Sequence, residues 1–94
     1  MPAHVYILAN RDGRVLYIGA TTALTQRIAQ HRARAVPSFT SRYRVTRLVY
    51  IEEYERIVDA RAREEQLKGW RRAKKMALIK TVNPQFEDLM AGEP

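Results

Sequence analysis

A chain of 94 residues with 17 lysines and arginines, 10 acidic residues and a formal charge of +7 supports one small core, expected as a single domain over 1–94. Its apolar content of 46% is that of a globular domain, and the absence of cysteine excludes disulfides and thiolate metal sites. No uncharged apolar run reaches the roughly 18 residues of a membrane span, and Arg11, Asp12 and Arg14 interrupt any secretory segment, so a cytoplasmic protein with no membrane partner is expected.

The first predicted element is a strand over His4–Ala9, and the second covers Val15–Gly19. Asp12-Gly13 between two β-rich runs is a strong hairpin signal, because both central residues of a type I′ turn need positive φ. With that two-residue turn, Leu8 stands opposite Tyr17, and Tyr6 becomes the diagonal neighbour of Tyr17, roughly 7–8 Å away on one face. Thr21 or Thr22 caps a helix over Ala23–Arg34, with Leu24 and Ile28 as its inward stripe. Arg27 and His31 are four residues apart and share a face of that helix, Arg27 at the edge of the buried stripe.

Pro37-Ser38 ends the helix, and Ser38–Arg44 reads as an exposed loop in which Phe39 and Tyr43 interleave with Thr40, Ser41 and Arg42. Arg47–Glu53 is the third strand. A helix over Glu55–Lys68 closes at Gly69, another spans Arg71–Thr81, and Asn83-Pro84 stops it. The tail Ala91–Pro94 is expected to fray. Within the first of these two helices, Ile57, Ala60, Glu64 and Leu67 fall on one face, so the Glu64 carboxylate interrupts an apolar stripe. Such a carboxylate needs a cation or hydrogen bonds to offset its desolvation, while Glu65 points about a hundred degrees away into solvent.

The positive excess favours polyanionic partners. Arginines dominate the region beyond the hairpin (Arg27, Arg32, Arg34, Arg42, Arg44, Arg47), and their planar forks suit phosphate. Lys68, Arg71, Arg72, Lys74, Lys75 and Lys80 populate the C-terminal helices. Nucleic-acid contacts are therefore expected from Arg27, Arg42, Tyr43, Lys68, Arg71 and Arg72.

Tyr6 in His4-Val5-Tyr6, the intact Tyr17-Ile18-Gly19, the stretch Leu24 to His31, the stretch Arg63 to Arg72, and Asn83 to Leu89 stand in one order along nearly the whole chain. In that order they resemble the GIY-YIG endonuclease family, most closely its small stand-alone bacterial members, which are similar to the nuclease domain of the bacterial excision-repair endonuclease. His4 replaces the glycine of the first motif, and Ala23 stands where an Asn or Asp is usual. The resemblance implies an α/β (α+β) fold, a small, mainly antiparallel three-stranded sheet flanked by helices in the order β-β-α-β-α-α. It also implies a divalent-metal-dependent endonuclease acting on nucleic acid, DNA first, in repair or recombination.

Carried onto this chain, the family's site residues are Tyr6, Tyr17, Arg27, His31 and Glu64, with Gly19 and Asn83 supporting them. Glu64 would hold Mg²⁺ or Mn²⁺ alongside water and phosphate oxygens. Arg27 would neutralise charge on the attacked phosphate, and Tyr17 or Tyr6 would orient or deprotonate water, with His31 as the alternative proton acceptor. A tyrosine of ordinary pKa, about 10, is a poor base at neutral pH, so Arg27 and the metal would have to lower it. Each residue also has a plainer reading: strand tyrosines in a half-buried sheet, a solvated Arg27 and His31, a Glu64–arginine pair, an Asn83 that ends a helix. The alternative function is a nucleic-acid-binding module of the same fold with little turnover, and a third is an interaction protein whose basic surface meets an acidic partner. Substrate preference would come from a partner, a second copy or the Ser38–Arg44 loop.

Overall fold

The computed structural model describes residues 1–33 and 43–90. Strands β1 (Ala3–Ala9), β2 (Leu16–Thr21) and β3 (Arg47–Tyr54) form one sheet in the order β2-β1-β3, every pair antiparallel. Helix α1 (Leu24–Ala33) packs on one face through Ile28, while α2 (Ile57–Lys68) and α3 (Arg72–Val82) cover the other through Ala60, Leu67 and Ile79. Among the described residues these elements run in the order β-β-α-β-α-α, as the sequence predicts. The predicted Ser38–Arg44 loop lies mostly outside the described residues, Arg42 included, as do Arg34 and the Ala91–Pro94 tail.

Alternation along β1 divides the core. Ala3, Val5, Ile7 and Ala9 join the cluster under α2 and α3, whereas Tyr6 and Leu8 join the one under α1. Leu8 pairs with Tyr17 and Ala9 with Leu16, the register expected of a short Asp12-Gly13 connection. The turn itself is different. Only Gly13 has positive φ, and the Gly13 amide bonds the Asn10 carbonyl at 3.0 Å. The Asn10 side chain accepts from the Val15 amide at 3.0 Å and that of Asp12 from the Arg14 amide at 3.2 Å, so side-chain acceptors replace the type I′ geometry.

β3 carries a bulge. Ile7 faces Tyr50 but Leu8 faces Leu48, so Val49 is the extra residue, and Val49 and Tyr50 both join the α2–α3 cluster. The Asn83 side-chain amide donates to the Val49 carbonyl at 3.0 Å and to the Glu87 carbonyl at 2.8 Å. Its oxygen accepts from the Glu87 amide at 2.9 Å. Asn83 thus satisfies the bulge and folds the C-terminal segment back along β3, where the Leu89 amide bonds the Leu48 carbonyl at 2.7 Å.

That segment is locked from α1. The Arg32 guanidinium grips both Asp88 carboxylate oxygens at 2.7 and 2.8 Å and donates to the carbonyls of Thr46 and Met90. On the opposite side, Glu52 of β3 accepts from Arg63 of α2 at 3.0 Å and from the hydroxyls of Tyr50 and Tyr54. These donors outweigh desolvation and hold the Glu52 carboxyl below its usual range. α2 ends at Gly69 without left-handed geometry (φ −81°), and α3 starts after an extended Arg71. Among the described residues, no helix is long and apolar enough to cross a membrane.

Candidate active site

The site begins at one strand pair. Tyr6 stands opposite Gly19, and a β-carbon built on Gly19 would fall 2.4 Å from the Tyr6 hydroxyl and 2.5 Å from its Cζ. The phenol therefore lies across β2 in the space that only a bare α-carbon leaves open. Tyr17, two residues before Gly19 on β2, brings its ring to 6.2 Å from that of Tyr6.

α1 delivers the third ring. The Thr21 hydroxyl accepts from the Ala23 amide at 3.0 Å, turning the chain directly from β2 into the helix. Buried Ile28 then fixes the helix rotation, so His31 lies over the sheet, its ring 6.0 Å from Tyr6 and 5.3 Å from Tyr17. His31 Nε2 and the Tyr6 hydroxyl are 3.3 Å apart. Arg27, one turn earlier and exposed, acts electrostatically on both Tyr6 and His31.

The protonation states follow from burial. Desolvation first, then Tyr17, push the Tyr6 phenol well above its usual range, against the lowering pull of Arg27. Of the protein's own groups, burial outweighs Arg27: the site removes the hydroxyl from water more effectively than Arg27 stabilises a phenolate. Burial holds the Tyr6 hydroxyl protonated at neutral pH, able to donate a hydrogen bond. His31 moves the other way: burial, then Arg27, hold it below 6.5 and keep its imidazole neutral.

α2 lies against β2, and Glu64 falls on its inward face between buried Ala60 and Leu67, as the periodicity predicts. Its charge acts on the Tyr6 hydroxyl. The Glu64 carboxylate meets Lys68 Nζ at 2.7 Å, one helical turn on, and this contact raises the Lys68 pKa. Glu65 is exposed. At the open edge of β2, Tyr17, Lys68 and Lys75 line a depression of 240 Å³.

Tyr6, Tyr17, Gly19, Arg27, His31, Glu64 and Lys68 are thus gathered at the β2 side of the sheet. The other expected residues lie elsewhere. Arg72 donates to the Arg14 carbonyl at 2.7 Å and to that of Gly13, holding the β1–β2 hairpin on α3. Arg71 is exposed where α3 begins, and Tyr43 is exposed beside the hairpin turn. Asn83 sits under the β3 bulge. Sequence reasoning missed the Glu52–Arg63 cluster and the Arg32–Asp88 clamp, whose partners are 11 and 56 residues apart and announce themselves by no local pattern.

Comparison with known proteins agrees with this geometry. Residues 2–77 match the GIY-YIG catalytic domain. UPF0213 proteins of Staphylococcus aureus strains Mu3 and Mu50 are each 37% identical over 81 residues, covering 85% of this chain and 98% of theirs. The solution NMR structure of a UPF0213 protein from Bacillus halodurans aligns over 100% of both chains with a TM-score of 0.60 and 27% identity. With the tyrosine pair, the bare Gly19 and the inward Glu64 in place, the chain belongs to the GIY-YIG catalytic-domain family, among its small stand-alone members.

Proposed function

We propose that this protein is a divalent-metal-dependent endonuclease hydrolysing phosphodiester bonds of nucleic acid, DNA first, in repair or recombination. The observation that carries the reading is the convergence of the Tyr6, Tyr17 and His31 rings on one another, with the Arg27 and Glu64 charges acting on the Tyr6 hydroxyl. Hydrolysis needs a proton acceptor for water and a positive group for the attacked phosphate. His31 suits the first role, being neutral at physiological pH and 3.3 Å from the Tyr6 hydroxyl. Tyr6, held protonated, orients water or a phosphate oxygen by donating a hydrogen bond. Arg27 meets charge accumulating on the phosphate, and Tyr17 flanks the nucleophile.

Glu64 is the residue suited to hold Mg²⁺ or Mn²⁺. Among the described residues no group of three or more His, Cys, Asp or Glu forms a protein-made cage. A single carboxylate suits Mg²⁺, which keeps water and substrate phosphate as its other ligands. When bound, the ion supplies polarisation of the phosphate and stabilises the departing oxygen.

The Lys68–Glu64 contact favours a second reading, a nucleic-acid-binding module of this fold with little turnover, because an ammonium already answers the carboxylate. Incubating the pure protein with labelled single-stranded, duplex and branched DNA, and with RNA, in Mn²⁺ or Mg²⁺ against EDTA separates the two. Cleavage that EDTA abolishes supports the nuclease. Salt-sensitive binding without cleavage supports the module.

A further inference from the structure

Residues 84–86 wall a second cavity. Between the β1–β2 hairpin tip and the turn after α3 lies a cavity of 390 Å³, within the range of small-ligand pockets. Its walls carry three cations, Arg11, Arg47 and Lys80, and an apolar side of Met76 and Phe86. Among the described residues Asp12 is the one carboxylate in the lining, and it turns to Arg14, whose amide it accepts at 3.2 Å and whose Nε lies 3.5 Å away. The cavity keeps a positive excess.

The hairpin backbone, Arg47 and Phe86 are held in place without a ligand. Arg47 donates to the Arg11 carbonyl at 3.0 Å, and Arg72 donates to those of Gly13 and Arg14. Phe86 is held at φ +55°, a conformation a bulky residue rarely adopts, by its amide's bond to the Asn83 carbonyl at 3.0 Å and by the Asn83 bracket on Glu87. The result sets the ring against Gly13, where an added β-carbon would stand 3.1 Å from Phe86 Cε2. A preset aromatic ring beside a held Arg47 and two further cations is what a nucleotide requires: a surface for the base and charge for its phosphate.

We infer that this cleft binds a nucleotide unit, its base against Phe86 and its phosphate between Arg11, Arg47 and Lys80. The cleft is separate from the tyrosine site. Its Met76 packs with the cluster under α2 and α3, whereas Tyr6 and Tyr17 belong to the cluster under α1, and Asn10 at the turn lies about 13 Å along β1 from Tyr6. The ligand comes from one of two sources, a free nucleoside monophosphate or a nucleic-acid strand that rounds the hairpin end. The strand form rests on the nuclease reading; the cleft itself does not.

The test is a ¹⁵N NMR titration of the wild-type protein with adenosine monophosphate, with a short single-stranded DNA oligonucleotide, and with poly-glutamate. Saturable shifts at Gly13, Lys80 and Phe86 with either nucleotide probe support the cleft, and which probe produces them identifies the source. Lys80→Glu and Phe86→Leu should each weaken that binding by about tenfold or more, the second without changing charge. Shifts confined to Tyr17 and Gly19 overturn the proposal, as does poly-glutamate binding the cleft equally well with no effect of Phe86→Leu. Cleavage of DNA in Mn²⁺ is scored separately. Cleft binding without cleavage leaves this proposal standing and removes the nuclease, and cleavage without cleft shifts does the reverse.

Discussion

A methyl group at Gly19 would occupy the space of the Tyr6 hydroxyl, so the buried Tyr6 ring must move to admit it. Gly19→Ala should cost about 1–3 kcal/mol by urea unfolding, the usual penalty of overpacking. It should also reduce cleavage more than Tyr6→Phe, which keeps the ring where it is. Wild-type cleavage by Gly19→Ala would show that the ring's position is irrelevant to turnover. His31 gives a pH signature. Its folded pKa lies below its ordinary 6.5, so between those values the unfolded chain binds more protons than the folded one. The stability tied to neutral His31 is full above 6.5 and is lost as pH falls through the folded value. Thermal unfolding across that window should show this slope in the wild type and not in His31→Gln. The Tyr6–Tyr17 neighbourhood was legible in the sequence because strand alternation and a short turn determine it. The shielding that raises the Tyr6 pKa was not, because it arises from α1 closing over the sheet.

At the scale of elements, the order and approximate bounds of the three strands and three helices given above, among the described residues, were legible from periodicity and from Gly and Pro punctuation. The turn type was not, because the Asn10 and Asp12 side chains accept from the Val15 and Arg14 amides, and the second of these is the amide that would close a type I′ turn on the Arg11 carbonyl. Nor was the path of residues 84–90, which carry no periodic pattern and are placed by partners distant in sequence. Asn83 shows what such a partner does. It is 4% exposed and holds the bulge carbonyl of Val49 together with both backbone groups of Glu87. Asn83→Ala leaves the buried Val49 carbonyl without its partner, a desolvation cost of about 1–3 kcal/mol, and removes the bracket on the part-buried backbone of Glu87. A melting temperature well below wild type, with kcat unchanged at temperatures where the variant stays folded, is the expected result. A fall in kcat on the folded variant would instead tie Asn83 to the chemistry.

Across the whole molecule, a charge of +7 says that polyanions are attracted but not which cations meet them. The structure separates the cations by what they already hold. Arg32 is committed to Asp88 and two carbonyls, Arg63 to Glu52, and Arg72 to the hairpin carbonyls. Arg27 and Lys75 instead border the tyrosine site and the β2-edge depression. Each phosphate contact adds about 0.9 to the slope of log affinity against log salt on duplex DNA. Arg27→Ala and Lys75→Ala should therefore each lower that slope by about 0.9, whereas Arg63→Gln should leave it unchanged while lowering stability. The first two then part company in turnover. Losing a positioned donor to transition-state charge costs on the order of 10²–10³ in rate, so Arg27→Ala should lose cleavage even at saturating DNA. Lys75→Ala should recover wild-type turnover once substrate saturates, because its contribution is to binding alone. Equal loss of binding and cleavage in Arg27→Ala would return Arg27 to the general basic surface and leave the site without a group to meet the phosphate.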